Sequence, residues 1–187
     1  GSNFDVASIY ELDKLLSLGV PPERCSYGNT IKKSKDIRYF YDKGVRMFAT
    51  DSEADLRNIA RAAPGSRIYA RILTEGSHTA DWPLSRKFGI DPALAPDLLR
   101  RAPDLGLVPT GVSFHVGSQQ TNPFIWQSAI GHAGAIFEAV AQANISLDLV
   151  NLGGGFPVVY RDQAVPPPEA IAETIQTAVE ENFGNNK

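Results

Sequence analysis

Six places toward the carboxyl ends of short, largely apolar runs carry polar, ionisable or glycine residues: Asp5, Asn29, Asp51, Arg71, His115 with Ser118, and Gly153-Gly154-Gly155. Burying such groups costs free energy unless they are paired or used, so a shared ligand site is the economical explanation. The glycine triplet follows Leu149-Val150-Asn151-Leu152 and offers consecutive backbone N–H groups that can wrap a phosphate, glycine permitting both close approach and positive φ. It is not a dinucleotide fingerprint: Phe156-Pro157 follows at once, where that motif needs a helix start and a third spaced glycine. A tight turn explains three glycines equally well. His115 precedes Gly117-Ser118, which would set an imidazole face for a flat heteroaromatic ring beside a hydroxyl for a phosphate; a hydrogen-bonded core histidine is the plainer alternative. His78, in a loop, and His132, on a helical stretch, default to solvated surface.

The elements that must position these residues repeat in order. Extended runs are expected at Phe4 to Ala7, Cys25 to Asn29, Arg46 to Thr50, Arg67 to Leu73, Gly111 to Val116 and Leu147 to Leu152. Each precedes a stretch of helical spacing. The first opens on Ser8-Ile9-Tyr10-Glu11, a capping box, with Ile9, Leu12, Leu15 and Leu16 inward and Gly19 closing it. Later helices are expected at Asp36 to Lys43 (Ile37, Phe40 and Tyr41 inward), from Ser52 to Pro64-Gly65, and near Ala93 to Ala102. The last two run from Phe124 to Ala143, with Trp126 and Ile130 inward, and from Pro168 to Asn182, with Ile171, Ile175, Ala178 and Val179 inward. Such alternation predicts an α/β fold with a parallel sheet. About six βα units fit an open doubly wound sheet or part of a (β/α)8 barrel, and only in a barrel do the strand ends converge on one mouth. Two long loops stand out: Thr74 to Leu84, whose length signals a mobile functional segment, and Tyr160 to Pro168.

Composition narrows the class. With 187 residues, 43% hydrophobic and net charge −3, the chain reads as one soluble domain or a large part of one. No basic face suggests nucleic acid, and no stretch is long and apolar enough to span a bilayer. The run Lys32-Lys33-Ser34-Lys35 reads as a solvated helix start. The single Cys25 excludes an intrachain disulfide, suits a reducing cytoplasm, and is expected to be a small buried residue in a strand.

Five segments carry a resemblance: Phe4-Asp5-Val6-Ala7-Ser8, Thr50-Asp51-Ser52-Glu53, Ser85-Arg86-Lys87-Phe88-Gly89, Gly111 to Ser118 and Leu152 to Pro157. In order and spacing they resemble the motif set of the alanine-racemase-fold (fold type III) decarboxylases that use pyridoxal phosphate, and most closely the ornithine/lysine branch. The resemblance implies a partial (β/α)8 TIM-type barrel with the cofactor at its mouth, residues 1–187 being an incomplete cofactor-binding barrel domain. It implies that His115 stacks on the cofactor ring while Ser118 and the amides of Gly153, Gly154 and Gly155 hold the phosphate. Arg71 and Asp5 would line the floor near the reacting centre, and Lys87 would close the far end of a loop covering the site. The implied activity is decarboxylation of ornithine or lysine to a diamine in polyamine biosynthesis, by a cytoplasmic homodimer using no metal.

The resemblance also implies pieces that these residues do not supply. The family's Schiff-base lysine lies on a strand before that of Asp5, its Glu-Pro-Gly-Arg motif follows the last helix, and a β-domain lies beyond. The expectation is a fragment of a longer product, inactive alone, with two unpaired sheet edges. Lys32 and Lys33, near the expected mouth, are poor surrogates for that lysine. Diaminopimelate or carboxynorspermidine decarboxylation is the alternative within the enzyme class. A non-catalytic binding homologue of the antizyme-inhibitor kind is the alternative outside it, though such a protein has little reason to keep the glycine triplet with His115.

Overall fold

The computed structural model describes residues 2–75, 78–83, 87–160 and 164–184. Gly76, Leu84, Ser85 and Arg86, and part of the loop from Tyr160 to Pro168, which figured in the sequence expectations, lie outside the described residues.

Strands β1 (Phe4–Val6), β2 (Cys25–Tyr27), β3 (Met47–Thr50), β4 (Arg67–Arg71), β5 (Val108–Ser113) and β6 (Leu149–Asn151) alternate with helices α1 (Ile9–Ser17), α2 (Ser34–Asp42), α3 (Glu53–Ala62), α4 (Ala95–Arg101), α5 (Phe124–Ala141) and α6 (Pro168–Phe183). The strands form one parallel sheet in sequential order from β1 to β6. The sheet is curled rather than open: Phe4 and Asp5 on one edge and Leu149 and Asn151 on the other line one hollow of about 370 Å³, with Ser26, Met47, Arg67 and Tyr69 between them. It is an arc of a (β/α)8 barrel with its helices outside.

Local chemistry accounts for the elements. The Ser8 hydroxyl accepts from the Glu11 N–H at 3.3 Å, and the Glu11 carboxylate accepts from the Ala7 N–H at 2.6 Å, so the box at the head of α1 closes one residue further back than the motif requires. Ser52 caps α3 in the same way, accepting from the Asp55 N–H at 3.3 Å. Burying the inward faces of the helices against the sheet makes one core that includes Leu12, Ile37, Phe40, Leu56, Ile59, Trp126, Ile130 and Ala133. Cys25 is buried within it, as expected of a small strand residue, and burial raises its thiol pKa.

Three expectations need correction. β5 begins at Val108 and ends at Ser113, so His115 sits in the loop after the strand rather than on it, in the same loop as Ser118. Val179 on α6 is exposed at 36%, because among the described residues α5 is the one helix that packs closely against α6. The basic run at the head of α2 is not wholly solvated: the Lys32 side chain is fully buried, and its ammonium donates to Asp55 Oδ2 at 2.6 Å, the Ala49 carbonyl at 2.7 Å and the Asn29 carbonyl at 3.0 Å. An amine committed to three oxygens is a strut between β3 and the first turn of α3, which removes it as a surrogate for a chemical lysine.

Candidate active site

The carboxyl ends of β1, β2 and β4 bring together one half of the site. Asp5, Gly28, Asn29 and Arg71 line a cavity of about 330 Å³, together with Glu11 and Phe88. Parallel pairing sets Asp5 opposite Ser26, whose hydroxyl donates to Asp5 Oδ1 at 3.0 Å. The Tyr69 hydroxyl lies 3.5 Å from both Asp5 Oδ1 and Ser26 Oγ. Tyr69 shares the inward face with Arg71 because alternate strand residues point the same way. Gly28 leaves room for the carboxylate: a Cβ there would come within 1.9 Å of Asp5 Oδ1.

Burial dominates the electrostatics of this half. It raises the Asp5 pKa against the lowering effect of the Ser26 and Tyr69 hydrogen bonds and of Arg71. Burial likewise lowers the Arg71 pKa, while Asp5, Asp51 and Tyr69 oppose the shift. The Arg71 guanidinium carbon sits 5.1 Å from the centre of the Phe88 ring, a cation–π distance. Asp51, at the end of β3, accepts from the Gly89 N–H at 2.9 Å and so holds the returning end of the long loop beside Arg71.

The loops after β5 and β6 build the other half. His115 Nδ1 accepts from the Gly117 N–H at 3.0 Å, which puts the proton of the neutral ring on Nε2. Burial, then the positive charge of Arg71, lowers the His115 pKa, so the imidazole is held neutral. Its ring lies against the glycine triplet: a Cβ on Gly154 would stand 3.1 Å from His115 Nε2. Gly153 and Gly155 have φ of +67° and +102°, and a Cβ on either would meet the Phe114 carbonyl at 2.1 Å or the Gly117 carbonyl at 2.4 Å. Glycine is required there by conformation and by space alike. The His115 turn and the triplet thus form one backbone cradle, tied by Gln120 N–H to Gly155 O at 2.9 Å.

Ser118 is exposed at the cradle's rim, where its backbone pairs with the long loop: Ser118 N–H donates to Trp82 O at 3.0 Å and Asp81 N–H to Ser118 O at 3.1 Å. Lys87 is exposed on that loop with its ammonium 4.6 Å from the Trp82 ring. The residues expected to act together therefore fall into two adjoining groups, Asp5 with Arg71 and His115 with Ser118 and the triplet, linked electrostatically through Arg71. His78 is exposed, whereas His132 is half-buried, contrary to expectation. It borders a larger hollow of about 640 Å³, lined also by Leu73, Thr74, Asp91 and Ile136. None of the expected site residues lines that hollow, so size is a poorer guide here than converging polar groups.

The sequence assigns no site role to Glu11, Ser26, Tyr69 or Phe88. Period-two alternation back from Arg71 finds Tyr69, and strand register with Asp5 finds Ser26. Glu11 reads as a helix cap, and Phe88, although part of a motif that carries the resemblance, gives no periodic signal.

With this geometry, the comparisons with known proteins are decisive. The family model described as pyridoxal-dependent decarboxylase, pyridoxal binding domain, matches residues 1–187. The chain belongs to this family. Within it, the chain is 41% identical over 157 residues to an ornithine decarboxylase of Rattus norvegicus, covering 84% of this chain and 34% of that protein. It is 37% identical over 157 residues to an antizyme inhibitor 2 of Xenopus laevis, again covering 84% and 34%. Among solved structures, a lysine decarboxylase from Selenomonas ruminantium superposes with a TM-score of 0.90 at 32% identity, over 98% of this chain and 48% of that one. The chain spans about a third of the rat relative and about half of the bacterial structure. No helix among the described residues is long and apolar enough to cross a membrane.

Proposed function

We propose that the protein carrying this chain is a pyridoxal-phosphate-dependent carboxy-lyase that converts a basic amino acid, ornithine and/or lysine, to a diamine, and that residues 1–187 are an incomplete part of its cofactor-binding barrel domain. The observation that carries this is the cradle of His115, Gly117 and Gly153 to Gly155: an imidazole held through Nδ1 by the Gly117 N–H, beside a glycine turn in which a Cβ on Gly153 or Gly155 would strike the Phe114 or Gly117 carbonyl. These residues suit a flat phosphorylated cofactor. The amides of Gly154 and Gly155, with the Ser118 hydroxyl, would hold the phosphate, consecutive N–H groups being a general anion site; the Gly153 N–H, expected to join them, already donates to Asn151 Oδ1 at 2.9 Å. His115 would stack on the ring, and its neutrality leaves the site's positive charge to Arg71. When bound, the cofactor supplies the electron sink that accepts the pair left as carbon dioxide departs.

The protein's own part is positioning and exclusion of water. Asp5, clamped by Ser26 and Tyr69, and Arg71, held against Phe88, would form the floor beneath the reacting centre. The loop bearing Trp82 and Lys87 pairs with Ser118 at the rim, which supports reading it as the cover. The same reading carries a homodimer, a cytoplasmic setting and a place in diamine supply, the first two checked by sedimentation and cell fractionation.

The test is carbon dioxide release from ornithine, lysine and diaminopimelate by the protein at its natural length, with and without added cofactor. Cofactor-dependent turnover of ornithine or lysine is expected; turnover of diaminopimelate alone, or cofactor-independent turnover, overturns the assignment. The similarity to an antizyme inhibitor supports a second reading, a non-catalytic binder. It predicts no decarboxylation with any of these substrates and a stoichiometric protein partner.

A further inference from the structure

Two described residues other than glycine have positive φ, Gln119 at 55° and Asn144 at 57°. Asn144 follows the end of α5, where a left-handed residue closes a helix and Asn is commonly used. Gln119 closes no helix. It stands directly after Ser118, in a conformation that side chains of its kind seldom enter. What it gains there is specific. Its Nε2 donates to the Val158 carbonyl at 2.8 Å and its Oε1 accepts from the Val158 N–H at 2.9 Å. One side-chain amide thus replaces a strand partner and satisfies both backbone groups of a residue three positions past the glycine triplet.

We infer that Gln119 is a positioning residue that sets the spacing between the two phosphate-facing turns, Gly117 to Ser118 and Gly153 to Gly155, by clamping Val158. This inference rests on the proposed phosphate role of those turns. The turns have no β-ladder between them: β5 stops at Ser113 and β6 at Asn151, before the residues concerned. Beyond the strands, their separation is set by Gln120 N–H to Gly155 O at 2.9 Å on one side and by the Gln119 amide on the other. Direct contact limits only how closely they approach, the Gly117 carbonyl filling the space where a Gly155 Cβ would be. Removing the amide would let the Val158 segment move outward, opening the cradle at the point where a phosphate would meet the Gly154 and Gly155 amides and the Ser118 hydroxyl.

The experiment compares affinity for pyridoxal phosphate with affinity for pyridoxal, by fluorescence titration of the protein at its natural length. The variant is Gln119→Gly. Glycine suits the backbone angle, so the variant folds and loses only the clamp, with no change of charge beside the phosphate. Losing two neutral hydrogen bonds corresponds to roughly a tenfold weaker grip. Pyridoxal phosphate affinity should therefore fall roughly tenfold in Gln119→Gly, with pyridoxal affinity unchanged. A merely structural role lowers both affinities alike, and that result, or an unchanged preference for the phosphorylated compound, overturns the inference. If the unsubstituted protein itself does not prefer pyridoxal phosphate over pyridoxal, the underlying reading of the cradle fails instead, and the inference fails with it.

Discussion

Replacing Lys32 by Met should be among the most damaging single changes in the barrel, although the residue lies in a run of cations that reads as surface. The Lys32 ammonium donates to Asp55, Ala49 O and Asn29 O within 3.0 Å, and its side chain has no exposed surface. Met fills the volume but leaves a nearly buried carboxylate without its cation and two carbonyls without a donor. Breaking a buried pair from one side costs about 3–5 kcal/mol, a large part of the ~5–15 kcal/mol that holds a typical domain folded. Replacing both partners, Lys32→Met with Asp55→Leu, removes the stranded charge, and most of the loss should return, since apolar substitutes for buried pairs are often neutral. The pH dependence gives an independent check. Burial already raises the Asp55 pKa, and Lys32 opposes that rise; without Lys32 the folded-state value stands further above the unfolded one. A raised folded-state pKa means stability that is present at acid pH and lost as pH rises through that value. The single variant's deficit should therefore shrink on mild acidification and be largest at neutral pH. Urea unfolding of the three proteins at two pH values decides it. A single-variant deficit under ~1 kcal/mol, a deficit independent of pH, or a double variant as unstable as the single would refute the reasoning.

Three further outcomes follow from the site. Gly154→Ala requires only a small shift of His115, from a Cβ contact at 3.1 Å, so folding should persist while pyridoxal phosphate affinity drops about tenfold, as losing one charge-assisted hydrogen bond would cause; titration with the cofactor measures it. Nitrogen-15 NMR of the imidazole should find His115 in the Nε2–H form with a pKa below the ordinary histidine value, its protonation on acidification breaking the Gly117 N–H bond to Nδ1. Asp5→Asn should stabilise the cofactor-free protein above the raised Asp5 pKa, where burial opposes ionisation, and the gain should disappear as pH falls through that value; denaturant midpoints across pH test it.

Much of this architecture was legible in the sequence because repeating apolar runs and helical stripes report burial, and burial orders the βα units. The boundaries read less well. The run from Gly111 to Val116 looks continuous as an extended segment, yet pairing stops at Ser113, the last β5 residue with a partner on β6. Val108 to Thr110 looks like a loop start but pairs with β4 or is buried. Lys32 was misjudged for a related reason: composition reports charge, while its burial depends on an aspartate 23 positions away. Of the candidate site, the glycine triplet and His115 were visible because their residue types are costly unless used. The Ser26 and Tyr69 hydroxyls were not, since Ser and Tyr are ordinary strand residues until register sets them around a carboxylate.

The division of the site into two groups bears on how it would work. Asp5 and Arg71 belong to β1 and β4, so they depend on strand order and barrel curvature, and a one-residue slip of β4 would turn Tyr69 and Arg71 out of the interior. His115, Ser118, Gln119 and the glycine triplet lie beyond the strand ends, so their geometry depends on backbone pairs between loops rather than on the ladder. The first group should keep its geometry as long as the barrel is folded, and the second should loosen well before global unfolding, because loop hydrogen bonds open locally at lower cost. Hydrogen exchange separates the two: the Ile68 to Arg71 amides should exchange near the global limit, and the Gln120 and Val158 amides much sooner. Ligand binding to the cradle should slow only the latter, and equal protection in both groups without ligand would mean that the loops are as rigid as the sheet.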